Sequence, residues 1–220
     1  MVNKYAKALL LTLVLFVLGL GIMSYFDNAR VSGISNSIEV ASLNTESTYQ
    51  LLLYTQIFGD DPAICPVLSK NIDSQAEKLG GLLSQLEQAK SQGFFADIDL
   101  AKRKYLVQNG LLYLLVEKSR KDCGNKGIVP VLYFYPEKYY CAECAAQAAV
   151  LDSVVVKCRN LRVFALPYDY GLPLVDLLLE KHGITNFPAV VIGGYEPVAV
   201  SNGSVLIPHT DIMQKIQCQQ

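Results

Sequence analysis

Cys141 and Cys144 stand three residues apart in Cys141-Ala142-Glu143-Cys144. An apolar, β-rich run precedes them, Ile128-Val129-Pro130-Val131-Leu132-Tyr133-Phe134-Tyr135. A helix-forming run follows, Ala145-Ala146-Gln147-Ala148-Ala149-Val150-Leu151. Two thiols at this spacing suit reversible thiol–disulfide exchange. Cys141 is the attacking sulfur, and Cys144, one helical turn on, resolves the mixed disulfide. The N–H groups and partial positive charge of a helix N-terminus favour a thiolate there. The same spacing is half of a zinc site. Here it lacks a second CxxC, and His182 and His209, the only histidines, are not ligand-spaced. No metal is therefore assigned, and the redox pair itself takes the place of a cofactor.

The elements that must position this pair are legible around it. A strand over 128–135 leads into the motif, and a helix runs from it to about Lys157. A second strand spans Leu161-Arg162-Val163-Phe164-Ala165-Leu166. A helix from Leu172 to His182 follows, closed by Gly183, a suitable C′ residue. Asn186-Phe187-Pro188 then introduces a strand, Ala189-Val190-Val191-Ile192, turned by Gly193-Gly194. Extended chain from Pro197 to Leu206 and a helix from Thr210 to Gln217 complete the order, with Pro208 punctuating that helix's start. Strand–helix–strand is expected to be parallel, and strands joined by the Gly-Gly turn antiparallel. Asn202-Gly203-Ser204 has the form of a glycosylation acceptor but reads more simply as a turn.

Residues 8–26 are apolar on every face and long enough to cross a bilayer core. No small-x-small cleavage site follows, so the stretch reads as an uncleaved anchor. Lys4 and Lys7 precede it, while Asp27 and Arg30 after it nearly cancel. The positive-inside rule keeps the N-terminus cytoplasmic and exports the rest, a single-pass arrangement. The six cysteines suit an exported, oxidising compartment. A net charge of −1 without a basic patch gives no case for nucleic-acid binding.

The first exported half reads as helical. Ile34, Ile38, Ala41, Leu52 and Ile57 recur at loosely helical spacing and continue the membrane helix outward. Leu68, Ile72, Leu79, Leu83 and Leu86 mark one face of a helix over 68–89, ended by Gly93. Gly80-Gly81 weakens its middle and predicts a kink or a close approach. A third helix is expected over 96–120, with Ile98, Ala101, Tyr105, Leu112 and Leu115 on one face. Two antiparallel helices place Cys65, just before the first, beside Cys123, just after the second. A Cys65–Cys123 bridge across the hairpin base follows.

CAEC after the first strand, with Asn186-Phe187-Pro188 before the third, resembles the thioredoxin-like superfamily over residues 128–217. The likeness is closest to membrane-anchored, exported disulfide-exchanging members of the DsbA-like and thioredoxin-like kind. It implies that Phe187–Pro188 is cis and borders the redox pair, that Pro188 and the Phe187 backbone dock a substrate strand, and that Tyr139 and Tyr140 form an apolar rim. It also implies that the helices ending at Cys158 and Cys218 share a sheet face and end together, which pairs those cysteines. Two features depart from the family. Tyr139-Tyr140 stand where a tryptophan usually precedes the first cysteine. Tyr133, Phe134 and Tyr135 occupy the stretch that often holds a buried acid, and Glu137 lies in the loop beyond it.

The expected chain is an α/β thioredoxin-like fold preceded by a transmembrane helix and an α-helical region with a helical hairpin. Its divisions are a cytoplasmic segment 1–7, an anchor 8–26, an exported helical region 27–124 and a thioredoxin-like domain 125–220. The expected function is extracytoplasmic thiol–disulfide exchange. The partners are protein thiols and disulfides, a membrane or exported redox partner, and the membrane itself through 8–26. Glu143 opposes the Cys141 thiolate, so the pair is expected to be more reducing than DsbA. A binding module that kept the fold without turnover and a CxxC metal-binding protein are the competing readings.

Overall fold

The computed structural model describes residues 2–59, 61, 63–91, 98–124, 127–203, 206–216 and 218. The expected helix boundaries at Gly93, Ala96 and Gln217, and Ser204 of the Asn-Gly-Ser sequence, lie outside them.

Helix α1, Val2–Ile57, is continuous. Its residues Lys7–Ser24 are long and apolar enough to span a membrane and none is buried within the protein. The same helix continues beyond this stretch to Ile57. At its far end the Phe58 N–H donates to the Tyr54 carbonyl and the Tyr54 hydroxyl donates to Asp61, turning the chain back. Helix α2, Ile64–Ser91, returns antiparallel to α1. The buried Thr48 hydroxyl fixes that pairing: it donates to Asn71 Oδ1 at 3.2 Å and accepts from Gln75 Nε2 at 2.8 Å. An isolated hydroxyl would be costly there, so reciprocal bonding sets the register of the two helices.

Helix α2 begins a turn earlier than expected, which places Cys65 inside its first turn. It also runs unbroken through Gly80-Gly81, and a Cβ at either glycine would meet no neighbour. The close approach is absent. Leu79, Leu82 and Leu86 are buried on the opposite face and hold the helix against its neighbours. Helix α3, Ile98–Asp122, completes the hairpin. The Cys65–Cys123 disulfide closes its base, with Cα atoms 5.6 Å apart.

The sheet holds β1 (Val129–Tyr135), β2 (Leu161–Pro167), β3 (Ala189–Ile192) and β4 (Ala199–Asn202) in the order β2-β1-β3-β4. Strands β1 and β2 are parallel, while β3 runs antiparallel to both β1 and β4. Among the described residues of the extended stretch expected over 197–206, the regular strand is Ala199–Asn202. The helices α4 (Ala142–Lys157), α5 (Pro173–His182) and α6 (His209–Ile216) complete the fold. Gly183 ends α5 in the left-handed region at φ 62°, as its position after the last helical turn predicts.

Strand β1 is buried on both faces, which explains its unbroken apolar run. Val131 and Tyr133 meet Leu151 and Val154 of α4 and Ile212 and Ile216 of α6. Leu132 and Phe134 face the other way, into a core shared with Leu106 and Tyr113 of α3 and Val175 and Leu178 of α5. The helical region thus shares one core with this face of the sheet. Fully burying each Leu or Phe contributes about 1.5–3 kcal/mol. Three polar contacts align α3 along the sheet: Lys102 to Glu137, Asn109 to the Ala165 carbonyl, and Arg120 to the Gly193 carbonyl. On the opposite face the Cys158–Cys218 disulfide joins the chain ends beyond α4 and α6, with Cα atoms 5.2 Å apart.

Candidate functional site

Strand β1 ends at Tyr135, and five loop residues carry the chain to Cys141, the N-cap of α4. Cys141 is extended, at φ −137° and ψ 102°, and its Sγ accepts the Cys144 amide N–H at 3.1 Å. Sulfur here occupies the capping place that a serine or aspartate oxygen usually takes. Cys141 and Cys144 are joined as a disulfide. Cys144 is buried and Cys141 half-buried, so an incoming group meets Cys141 first. Glu143 is exposed in the first turn of α4.

The register places the remaining expected site residues at the same end of the sheet. Ala189 pairs with Phe134, so Pro188 enters β3 beside the last residue of β1. The Phe187–Pro188 peptide bond is cis. Pro188 is buried and its carbonyl accepts from the Gly203 N–H. Phe187 is half-buried and stacks on Tyr168, with ring centroids 4.1 Å apart and planes 12° from parallel. Tyr139 and Tyr140 are 69% and 94% exposed in the loop before Cys141. They stand free for contact with a partner.

That loop is held from two sides by residues that the sequence did not single out. The Asp169 carboxylate, in the 3₁₀ turn Tyr168–Tyr170, accepts the backbone N–H of Lys138 at 2.7 Å and that of Glu137 at 3.0 Å. The Glu137 carboxylate pairs with Lys102 of α3 at 2.6 Å and Lys90 of α2 at 3.0 Å. Burial pushes its carboxyl up, but the two lysines outweigh burial and hold it below the usual carboxylate range. Glu137 is thereby engaged with the helical hairpin.

Beneath the motif, Tyr133 and Tyr135 fill the end of β1. The Tyr133 hydroxyl donates to the Cys144 carbonyl oxygen at 2.7 Å and its ring stacks on Tyr135 at 5.2 Å. Burial raises the Tyr133 phenol to about 12, so it is a proton donor throughout the neutral range. Burial, and then the Glu137 carboxylate, also raise the Tyr135 phenol. Further along α4, buried Gln147 accepts the Ile207 N–H at 2.8 Å and donates to the Ile207 carbonyl at 3.3 Å. This pair of hydrogen bonds between the side-chain amide and the backbone fixes the approach to α6. No local signal marked Asp169, Lys90, Lys102 or Gln147, because each acts on backbone or charge distant in sequence. Among the described residues no group of three or more His, Cys, Asp or Glu side chains is placed to hold a metal ion.

No protein-family model matches the chain, and no curated protein matches it. Among solved structures, the chain is similar to thioredoxin O2 from Arabidopsis thaliana in its oxidized state. The identity is 17%, over 40% of this chain and 75% of that one, at a TM-score of 0.35. A likeness that loose transfers no residue role.

Proposed function

We propose that this chain is a membrane-anchored, extracytoplasmic thiol–disulfide oxidoreductase acting on protein thiols and disulfides through Cys141 and Cys144. The observation that carries the reading is the Cys141 sulfur at the α4 N-cap, accepting the Cys144 N–H and bonded to the Cys144 sulfur. An N–H donor and the positive end of a helix dipole stabilise a thiolate at that atom. The order strand, CAEC helix, strand, helix, two strands, helix is the one implied by the resemblance to thioredoxin-like proteins.

In the reducing direction the Cys141 thiolate attacks one sulfur of a substrate disulfide and expels the other as a thiolate. The Cys144 thiolate then attacks the Cys141 sulfur and frees the substrate's second thiolate. Two electrons pass to the substrate, and its sulfurs take up two protons. The oxidising direction reverses each step. Cys144 is buried, which keeps it from competing for substrate. Tyr139 and Tyr140 supply the rim, and Phe187 and Pro188 border the pair. Apolar residues 8–26, with Lys4 and Lys7 before them, would hold the domain at the outer face of a membrane.

A binding module without turnover is the second reading, favoured by Tyr133 and Tyr135 in the stretch where a proton-accepting carboxylate would assist. A redox titration separates the two. The full-length chain, in detergent, is equilibrated in graded glutathione buffers, and Cys141 and Cys144 are followed by thiol trapping and mass spectrometry. An exchanger titrates between about −120 and −270 mV while the other four cysteines stay oxidised. A pair locked as a disulfide throughout that range, or one that never forms a disulfide, overturns the oxidoreductase reading.

A further inference from the structure

We infer that the redox pair is held at the membrane surface and that its partner is a membrane-embedded protein presenting a thiol or disulfide there. The inference rests on the membrane-anchored reading above and follows from helix directions.

Helix α1 is unbroken from the apolar span to its end at Ile57. At a rise of about 1.5 Å per residue, Thr48 stands about 36 Å beyond Ser24 and about 33 Å beyond Phe26, the end of the anchor. There α1 meets α2 through Asn71 and Gln75. Helix α2 then runs back toward the membrane, and Lys90 lies about 25 Å along it from that crossing. The end of α2 therefore comes within about 10–15 Å of the end of the span. The headgroup layer occupies about the first 5–7 Å of that distance.

Lys90 and Lys102 both hold Glu137, four residues before Cys141. The Arg120 end of α3 instead holds Gly193, at the opposite end of the sheet. Strand β1 thus points toward the bilayer and delivers CAEC at the membrane-proximal end. Tyr139 and Tyr140 are exposed beside it, and tyrosine is a residue type suited to the lipid–water boundary. A substrate free in solution gains nothing from this orientation. A cysteine on a short loop of a membrane-embedded protein is brought to the height of Cys141.

The chain contains no tryptophan, so a single introduced one reports its own position. Full-length chain carrying Tyr140→Trp, or Tyr195→Trp at the opposite end, is placed in phosphatidylcholine vesicles with nitroxide-labelled headgroups. Both positions are exposed, so folding is not at risk. Tyr140→Trp is expected to lose fluorescence and Tyr195→Trp to keep it. The reverse order, equal loss, no loss in either, or a chain that does not float with the vesicles overturns the inference.

The partner class is tested with transmembrane peptides that carry one cysteine as a mixed disulfide with thionitrobenzoate. In one the cysteine is the first residue outside the bilayer. In the other it tops a helical spacer about 30 Å long. The Cys141 thiolate of the reduced chain attacks the peptide sulfur and expels coloured thionitrobenzoate. Cys144 then displaces the peptide thiolate, so two electrons leave the CAEC pair and reduce one disulfide. Release from the low peptide at least about tenfold faster than from the raised one is expected, as effective concentration falls with mismatched span. Equal or inverted rates overturn the partner class. A soluble glutathione–thionitrobenzoate disulfide is the reference: if it too is inert, the oxidoreductase reading fails, while fluorescence still decides the orientation.

Discussion

The Tyr133 hydroxyl reaches the carbonyl oxygen of Cys144 at 2.7 Å, tying the middle of β1 to the first turn of α4. Because Tyr133 stays protonated through the neutral range, this donor is constant wherever the pair is tested. Tyr133→Phe is expected to cost about 1 kcal/mol in denaturant unfolding. It is also expected to move the CAEC midpoint potential, since the bond ends on the turn that presents both sulfurs. An unchanged potential would make Tyr133 a packing residue only.

Glu137 ties the loop before Cys141 to the helical hairpin. Its carboxyl titrates lower when folded than unfolded, because Lys102 and Lys90 outweigh burial. Its contribution is therefore present above about pH 4.3, the unfolded value, and is lost as pH falls through the folded one. Wild type is expected to exceed Glu137→Gln by about 1 kcal/mol at pH 7, and the gap is expected to close as pH falls through the lowered folded value. Urea midpoints of both proteins across that range check it. A gap that persists in acid would contradict the ion-pair account.

Each structural disulfide closes a long loop, with sequence separations of 58 and 60 residues. Paired serine substitution of Cys65 and Cys123, or of Cys158 and Cys218, is expected to lower stability by about 4 kcal/mol. The CAEC pair should titrate as before in either variant, provided that it stays folded. Calorimetry and thiol trapping separate the two effects.

Gly194 sits at φ 70°, and a Cβ there would collide with Glu117 Oε1 and with Pro130. Glu117 cannot yield freely, because it accepts the Tyr195 N–H at 3.0 Å and pairs with Arg120 at 3.5 Å. Gly194→Ala is expected to destabilise by at least about 2 kcal/mol. Gly80→Ala, in a helix with open space around it, is expected to stabilise by about 0.5–1 kcal/mol. Parallel thermal melts of the two variants test the contrast.

Glu143 is exposed one residue before Cys144, and its charge opposes a thiolate on Cys141. Glu143→Gln is expected to make the pair more oxidising by about 10 mV, a small shift because solvent screens the charge. A shift in the reducing direction would reverse the assigned sign.

Periodicity found α3, α5 and the strands because each has one apolar face, or two, that must leave water. It found the Gly183 stop because a left-handed residue is needed there. It placed the start of α2 a turn late and read Gly80-Gly81 as a kink or a close approach, since the pull of Leu79, Leu82 and Leu86 from the opposite face is not visible in local spacing. The pairing of Cys65 with Cys123 was legible because two antiparallel helices leave their outer ends together. The hold on the redox loop was not legible, because Asp169, Lys90 and Lys102 reach it only after the sheet and hairpin have assembled.

The apolar span, the CAEC pair at a strand-to-helix junction and the order of elements around it are written in the chain itself. Those are local properties, set by side-chain hydrophobicity and by residues three or four positions apart. That α3 closes one face of the sheet and that Glu137 answers to two helices emerges only on assembly. So does the run of β1 toward the end of α2 that points back along α1. These depend on how buried surfaces and paired charges far apart in the chain satisfy one another, which no local pattern records.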